Sequence, residues 1–194
     1  MVYKIVIWIA RQVIRLVFRV KVVGRENIPS EGNVVVCYNH RSAWDGISIA
    51  LYNKRRKLIL VAKKELFKNK LFAPILKYFG GVPVNRGTAD LRMFKTVSQA
   101  MNDKNMIAIA PYGTRVKDED LKNVKVHAGA MLIATKADAW VVPCTVDGDF
   151  KFWHKITLTF GKPRKYTELT NGAEMQEATW ELMREIEAVR GVTL

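Results

Sequence analysis

Residues 33–53 read NVVVCYNHRSAWDGISIALYN, and two changes of pattern within them decide the architecture. NVVVCY is an apolar run rich in β-branched valine, without the polar alternation of a half-exposed strand. It reads as a strand buried on both faces. A polar loop, NHRSAWDG, follows, and WDGISIALYN then reads as a helix. The loop places an imidazole, His40, five residues before a carboxylate, Asp45, with the bulky Trp44 beside the acid.

The same alternation of strand and helix continues downstream. KLILVA is a second strand, and KELFKNKLFAPILKYFG is helical with a break expected at Pro74. GVPVN is a third strand, and TADLRMFKTVSQAMN an amphipathic helix with Thr88 as its cap. NMIAIAP and AWVVPCTV are strands on either side of the helix AGAMLIATKAD. KITLTFG alternates like an edge or half-exposed strand, and GAEMQEATWELMREIEAVR is a terminal amphipathic helix. This order predicts one α/β domain, residues 22–194, with a mostly parallel or mixed sheet flanked by helices. GRENIPSEGN, which carries Gly24, Pro29, Ser30 and Gly32, is a turn-rich connector into it. No internal repeat or low-complexity tract interrupts the pattern.

Composition narrows the function. A chain of 194 residues with 49% hydrophobic content is long enough to bury a core as one domain. Its two cysteines, Cys37 and Cys144, both lie in apolar runs, which argues against a disulfide scaffold and fits a reducing compartment. Histidine and cysteine are few and lack ligand-type spacing, so no metal site is expected. The net charge of +14, with clusters at KRRK, KKELFKNK and KPRK, implies a partner of negative potential. No nucleic-acid signature accompanies the charge, so nucleic acid is not the expected partner.

The first residues choose a different one. MVYKIVIWIARQVIRLVFRV has four basic residues and no acid. At helical spacing Lys4, Arg11, Arg15 and Arg19 share a sector of about 80°. Val2, Ile5, Ile9, Val13, Leu16, Val17 and Val20 lie on the broad opposite side. Spanning a bilayer would carry Arg11 to the midplane at a cost of about 2.5–3.5 kcal/mol. Lying flat lets the arginines meet phosphates while the apolar side enters the acyl region. Residues 1–21 are therefore expected to form an interfacial helix, the alternative being a helix packed on its own domain, with partial packing compatible with partial insertion; a peripheral or monotopic protein is expected on the cytoplasmic face of the cell membrane. The segment is not a secretory signal, because charge interrupts it throughout.

Ligands of open α/β sheets bind beyond the carboxyl ends of the strands. Four segments there carry unusual residues: NHRSAWDG, NRGTAD, PYGTRVKDED and the stretch around PCTVDGD. Asp45 can fold back to fix the tautomer of His40 and leave the other ring nitrogen free to take a proton. No nucleophile elbow is present, so a covalent acyl-enzyme is not expected. Arg86 follows GGVPVN, and Arg115 follows Pro111-Tyr112-Gly113-Thr114. Val142 and Pro143 lie in an apolar strand further on.

In this order and spacing the chain resembles the lysophosphatidic acid acyltransferase family, glycerolipid acyltransferases with an N-H-x-x-x-x-D motif. The likeness runs from about residue 22 to 167. The Asn39-His40 to Asp45 motif is complete, the second motif matches in its glycine, apolar strand and Arg86, and Val142-Pro143 is correctly placed. The resemblance implies acyl transfer from a thioester, on acyl-CoA or acyl carrier protein as co-substrate and without another cofactor, to a hydroxyl of a membrane lysolipid. Lysophosphatidic acid is the acceptor it most directly suggests, with phosphatidic acid as product. It further implies that His40 deprotonates the acceptor and Asp45 orients it, that Arg86, Tyr112, Gly113, Thr114 and Arg115 hold the acceptor, and that Val142 and Pro143 lie against the acyl donor. The third motif departs from the family: its Pro-Glu-Gly-Thr-Arg reads Pro-Tyr-Gly-Thr-Arg here, a phenol replacing a carboxylate. That departure leaves open an altered acceptor, or a non-catalytic relative that binds anionic lipid or acyl donor.

Overall fold

The computed structural model describes residues 2–53, 57–70, 72–78, 81–84, 97, 99, 101 and 105–194. Helix α1 runs Val2–Val17 and is followed at once by strand β1, Arg19–Val23. Strand β2, Val34–Tyr38, feeds helix α2, Asp45–Tyr52, and strand β3, Leu58–Lys63, runs into a 3-10 turn at Lys64–Lys68 and helix α3, Phe72–Tyr78. Strands β4, Val82–Val84, and β5, Met106–Ile109, precede helix α4, Gly129–Lys136. Strands β6, Trp140–Asp147, and β7, Lys155–Phe160, precede the terminal helix α5, Gly172–Ala188. The seven strands form one sheet in the order β1-β7-β6-β2-β5-β3-β4, parallel at every junction except the antiparallel β6–β7 pair. This is the mixed sheet flanked by helices that the pattern predicts.

Strand β2 sits in the middle of the sheet and explains its own composition. Val34, Val36 and Tyr38 point into a core with α1, α2 and α3 residues, while Val35 and Cys37 point into one with α4 and α5 residues. Each fully buried aliphatic side chain contributes about 1.5–3 kcal/mol, so a polar residue at any of the five positions would disrupt one layer or the other.

Three local expectations change. The first helix ends at Val17, and Arg19–Val23 leaves it to pair in parallel with β7. RVKVV alternates with period two, and its valines suit a pleated strand better than a helix. KITLTF keeps the alternation of a half-exposed strand, with Ile156, Leu158 and Phe160 buried, but it is not at the edge: β7 is paired on both sides, and β1 takes the edge. Pro74 does not break its helix. It lies in the first turn of α3, where a missing N–H costs nothing, and the chain instead departs from α-helix before Phe72. The helix read over TADLRMFKTVSQAMN, with Thr88, lies outside the described residues except for Val97, Gln99 and Met101, which are helical.

Helix α1 packs on the domain through Ile14, and Phe18, just beyond its end, is buried with it. Its opposite side leaves Trp8, Ile9, Val13 and Leu16 exposed, Leu16 by 70%. The β6–β7 connection presents Phe152, 76% exposed, and Trp153 beside it. The Trp153 backbone N–H donates to the Val17 carbonyl at 2.7 Å, so that connection is tied to the end of α1. Among the described residues no helix is long and apolar enough to cross a membrane.

Candidate active site

Parallel β2, β3, β5 and β6 bring the loops after their carboxyl ends to one edge of the sheet. Asn39, the first residue past β2, is fully buried and acts as a brace. Its Nδ2 donates to the Val146 carbonyl at 2.9 Å, and its Oδ1 accepts from the Val146 N–H at 2.7 Å. This amide completes a backbone-like pairing where β2 has already ended, and it fixes the departure point of the next residue. Only a side chain with both a donor and an acceptor can do so.

That next residue is His40. Its Nδ1 lies 3.0 Å from Asp45 Oδ2, and the same oxygen accepts the backbone N–H groups of Arg41 at 2.8 Å and Ser42 at 2.7 Å. Asp45 opens α2 and is 1% exposed. A carboxylate paired in this way only accepts, so Nδ1 carries the imidazole proton and the Nε2 lone pair is left for chemistry. The ring also packs edge-on against Tyr38, with centroids 5.8 Å apart. Gly46, next to Asp45, lets α2 come close: a Cβ there would lie 3.0 Å from Leu60 and 3.2 Å from the Tyr38 hydroxyl. The pattern DG carried that signal, since a glycine in the first turn of a helix has no propensity reason to be there.

His40 lines a cavity of about 380 Å³. Ile47, Leu60, Leu66 and Leu76 give it an apolar wall, and Lys63, Thr114 and Arg115 supply polar groups. The β5 loop is held against the histidine loop by a hydrogen bond from the Val116 N–H to the His40 carbonyl, 2.8 Å. Gly113 turns that loop with φ +65, a left-handed conformation that glycine adopts without strain. Lys63, at the end of β3, is a cation that the motif reading did not single out. Its signals were its position at the carboxyl end of a strand and its place at the head of the basic cluster KKELFKNK.

The remaining expected site residues divide. Thr114 and Arg115 reach the cavity with His40, and Arg86 lies outside the described residues. Val142 and Pro143 are buried in β6, paired in register with Val36 and Cys37 of β2. Neither lines the cavity. Tyr112 is 2% exposed and turns to the other face of the sheet, among the α4 and α5 core residues. There its hydroxyl donates to Glu187 Oε1 of α5 at 3.1 Å. Burial and the neighbouring Glu187 charge both push the phenol well above its ordinary range. Arg190 pairs with Glu187 and with Asp118 at 2.7 Å, and Asp118 in turn faces Arg41 at 3.4 Å. The terminal helix is thereby tied to the loops on both sides of His40.

The paired His40 and Asp45, at the carboxyl edge of an α/β sheet and beside a cavity with an apolar wall, are the candidate active site. Comparison with known proteins gives its class. The family model described as Acyltransferase matches residues 19–147, and the chain belongs to that family of acyl-transferring enzymes. It is 28% identical over 180 residues to the 1-acyl-sn-glycerol-3-phosphate acyltransferase of Bacillus subtilis (strain 168), covering 87% of this chain and 88% of the relative. It is 27% identical over 146 residues to the enzyme of the same name from Streptococcus pneumoniae (strain ATCC BAA-255 / R6), covering 71% of this chain and 53% of that longer relative. Its fold matches the crystal structure of the 1-acyl-sn-glycerophosphate (LPA) acyltransferase PlsC from Thermotoga maritima, with a TM-score of 0.71 and 22% identity over 97% of this chain and 80% of the other.

Proposed function

We propose that this acyltransferase moves a fatty acyl group from a thioester to the free hydroxyl of 1-acylglycerol 3-phosphate at a membrane surface. The observation that carries the reading is the His40–Asp45 pair opening on an apolar cavity that also presents Arg115 and Lys63. In the proposed step, Nε2 of His40 takes the hydroxyl proton as the acceptor oxygen attacks the thioester carbonyl. The C–O bond forms, the C–S bond breaks, and the thiolate leaves and recovers the proton from the imidazolium. Asp45 holds the ring throughout and stabilises the imidazolium while it exists. The apolar wall suits an acyl chain. Arg115 and Lys63 suit the acceptor phosphate, arginine through a planar fork and lysine as a point charge. The names of the curated relatives support this acceptor.

Contact with the bilayer is part of the proposal. Trp8, Ile9, Val13 and Leu16 on α1, and Phe152 with Trp153 on the β6–β7 connection, form two exposed apolar groups joined at Val17. Lys151 and Lys155 flank the second, and the chain carries +14 overall, which favours an anionic leaflet. The cytoplasmic face of the cell membrane, where the thioester donor is available, is the proposed location. The test is a product screen by mass spectrometry, with isotope-labelled acyl-CoA or acyl carrier protein and a panel of lysolipids. The expected result is labelled phosphatidic acid formed from lysophosphatidate and lost in His40→Ala. Transfer to a different lysolipid only, or equal transfer by His40→Ala, would overturn the reading.

A further inference from the structure

Residues 41–44, between His40 and Asp45, belong to no helix or strand, so the contacts they make decide how steadily the pair is held. On the inside their backbone grips the acid, because the N–H groups of Arg41 and Ser42 both donate to Asp45 Oδ2. Ala43 lines the catalytic cavity. The two large side chains of the segment, Arg41 and Trp44, point elsewhere. Both reach the elements that carry the exposed apolar groups.

The Trp44 ring packs on Phe18, just past the end of α1, with centroids 6.4 Å apart. Phe18 in turn meets Phe150 of the β6–β7 connection edge-on at 5.4 Å. One buried ring thus joins α1, that connection and the residue before Asp45. Arg41 makes a second link. Its guanidinium lies 3.8 Å from Asp149 of the same connection and 3.4 Å from Asp118 in the loop after β5. Further along the connection Trp153 holds φ +65, a conformation that bulky residues seldom adopt, while its N–H donates to the Val17 carbonyl. The Trp153 ring is exposed, so core packing does not account for that strain. Strain of this kind concentrates at ligand clamps and switch regions.

On the premise of the membrane-surface acyl transfer proposed above, we infer that Arg41 and Trp44 are positioning residues through which contact with a bilayer steadies the His40–Asp45 pair. Neither side chain lines the cavity, so both act through the pair and not on the substrate. Exposed ion pairs and half-exposed rings are weak contacts, and in water they leave a loop such as 41–44 several arrangements. Insertion of Trp8, Ile9, Val13 and Leu16 from α1, and of Phe152 and Trp153 from the connection, anchors both elements to one plane. Phe18 and Asp149 are then held together, and Trp44 and Arg41 with them. Misplacing reacting groups by an ångström costs about 10²-fold in rate, so ordering this short segment is enough to raise turnover.

The test separates membrane binding from its effect on rate. The full chain is assayed on a short-chain 1-acylglycerol 3-phosphate with a short-chain acyl-CoA, both of which stay in water. Vesicles of phosphatidylcholine and phosphatidylglycerol, containing no acceptor, are added at a concentration that sediments all of the protein. The readout is the ratio of kcat with vesicles to kcat without them, which a uniform loss of folded enzyme does not move. The parent ratio should be about 5 or more. In Trp44→Ala and in Asp149→Ala it should fall to about half the parent value or less while sedimentation is unchanged. Trp44→Phe, which keeps a ring against Phe18, should retain most of the parent ratio. A parent ratio of unity, or equal ratios in parent and variants, would overturn the inference and leave acyl transfer standing. Loss of sedimentation in Trp44→Ala would make that ring a membrane anchor and overturn it too. A parent that turns over but does not sediment would remove the membrane surface, and a parent that turns over no acceptor would remove acyl transfer; either result takes the inference with it.

Discussion

Replacing Tyr112 by phenylalanine separates two roles for the residue at which this chain departs from its family. If the phenol held the acceptor, its loss would act on catalysis. The structure turns it away from the catalytic cavity and onto a buried carboxylate, Glu187, which is 1% exposed. Tyr112→Phe removes one hydrogen bond to a charged group, about 1.5–3 kcal/mol, and leaves Glu187 its pairing with Arg190. For a domain of this size each kcal/mol moves the midpoint by about 2–4 °C, so a fall of about 3–12 °C is expected. Rates measured well below the transition should stay within about threefold of the parent. Thermal unfolding followed by circular dichroism, with initial rates on lysophosphatidate in the same buffer, reads both quantities. A tenfold or greater loss of kcat/KM with an unchanged midpoint would refute the reasoning and return Tyr112 to the acceptor. Tyr112→Glu is a sharper version, because it sets a second carboxylate against Glu187 inside the core. It should be less stable than Tyr112→Phe, and Glu187→Gln in the same chain should restore part of the loss.

Asp45→Asn should lower kcat by about 10²–10⁴ with little change in KM, since it disturbs the tautomer that leaves Nε2 of His40 basic; a parent-like kcat would contradict that role. Asn39→Ala strands the Val146 N–H and carbonyl, at about 1–3 kcal/mol for each buried group left unsatisfied, and should lower both the melting temperature and activity; a parent-like midpoint would show that the brace is dispensable. Replacing Trp8, Val13 and Leu16 by serine should weaken sedimentation with anionic vesicles and spare activity on a short-chain soluble acceptor, and unchanged sedimentation would remove α1 from the membrane contact. Burial pushes the Cys37 thiol up to about 12, and Cys144 is also raised by burial with the Asp45 charge adding to it. The folded state therefore keeps its thiol protons where the unfolded chain loses them, above about pH 8.5. Stability conferred by the neutral thiols is complete below that pH and declines above it as the medium approaches pH 12. Urea unfolding at pH 8 and pH 10 should show a loss on the order of 2 kcal/mol per thiol that a Cys37→Ala, Cys144→Ala chain lacks. Equal losses in both chains would contradict the assignment.

Much of this protein was written in local pattern. NVVVCY could only be a strand covered on both faces, and the jump from it through a polar loop to a helix placed His40 and Asp45 at the carboxyl edge of a sheet. Their pairing needs only residues a few positions apart, so spacing was enough to anticipate it. The orientation of a side chain relative to distant elements is not local, and there the sequence was silent. Tyr112 sits between a candidate substrate loop and a core strand, and its direction depends on Glu187, 75 positions away on a helix that packs behind the sheet. Arg19–Val23 could have extended the first helix, and pairing with β7 across more than a hundred residues made it a strand. The helical spacing of Arg11 and Arg15 put them on one face, but only the docking of α1 on α2 and β1 brought that face against Tyr52 and Arg25. Backbone propensity and periodicity act over one or two turns, whereas the partners of a buried polar group are chosen by the packing of whole elements, which no single stretch encodes.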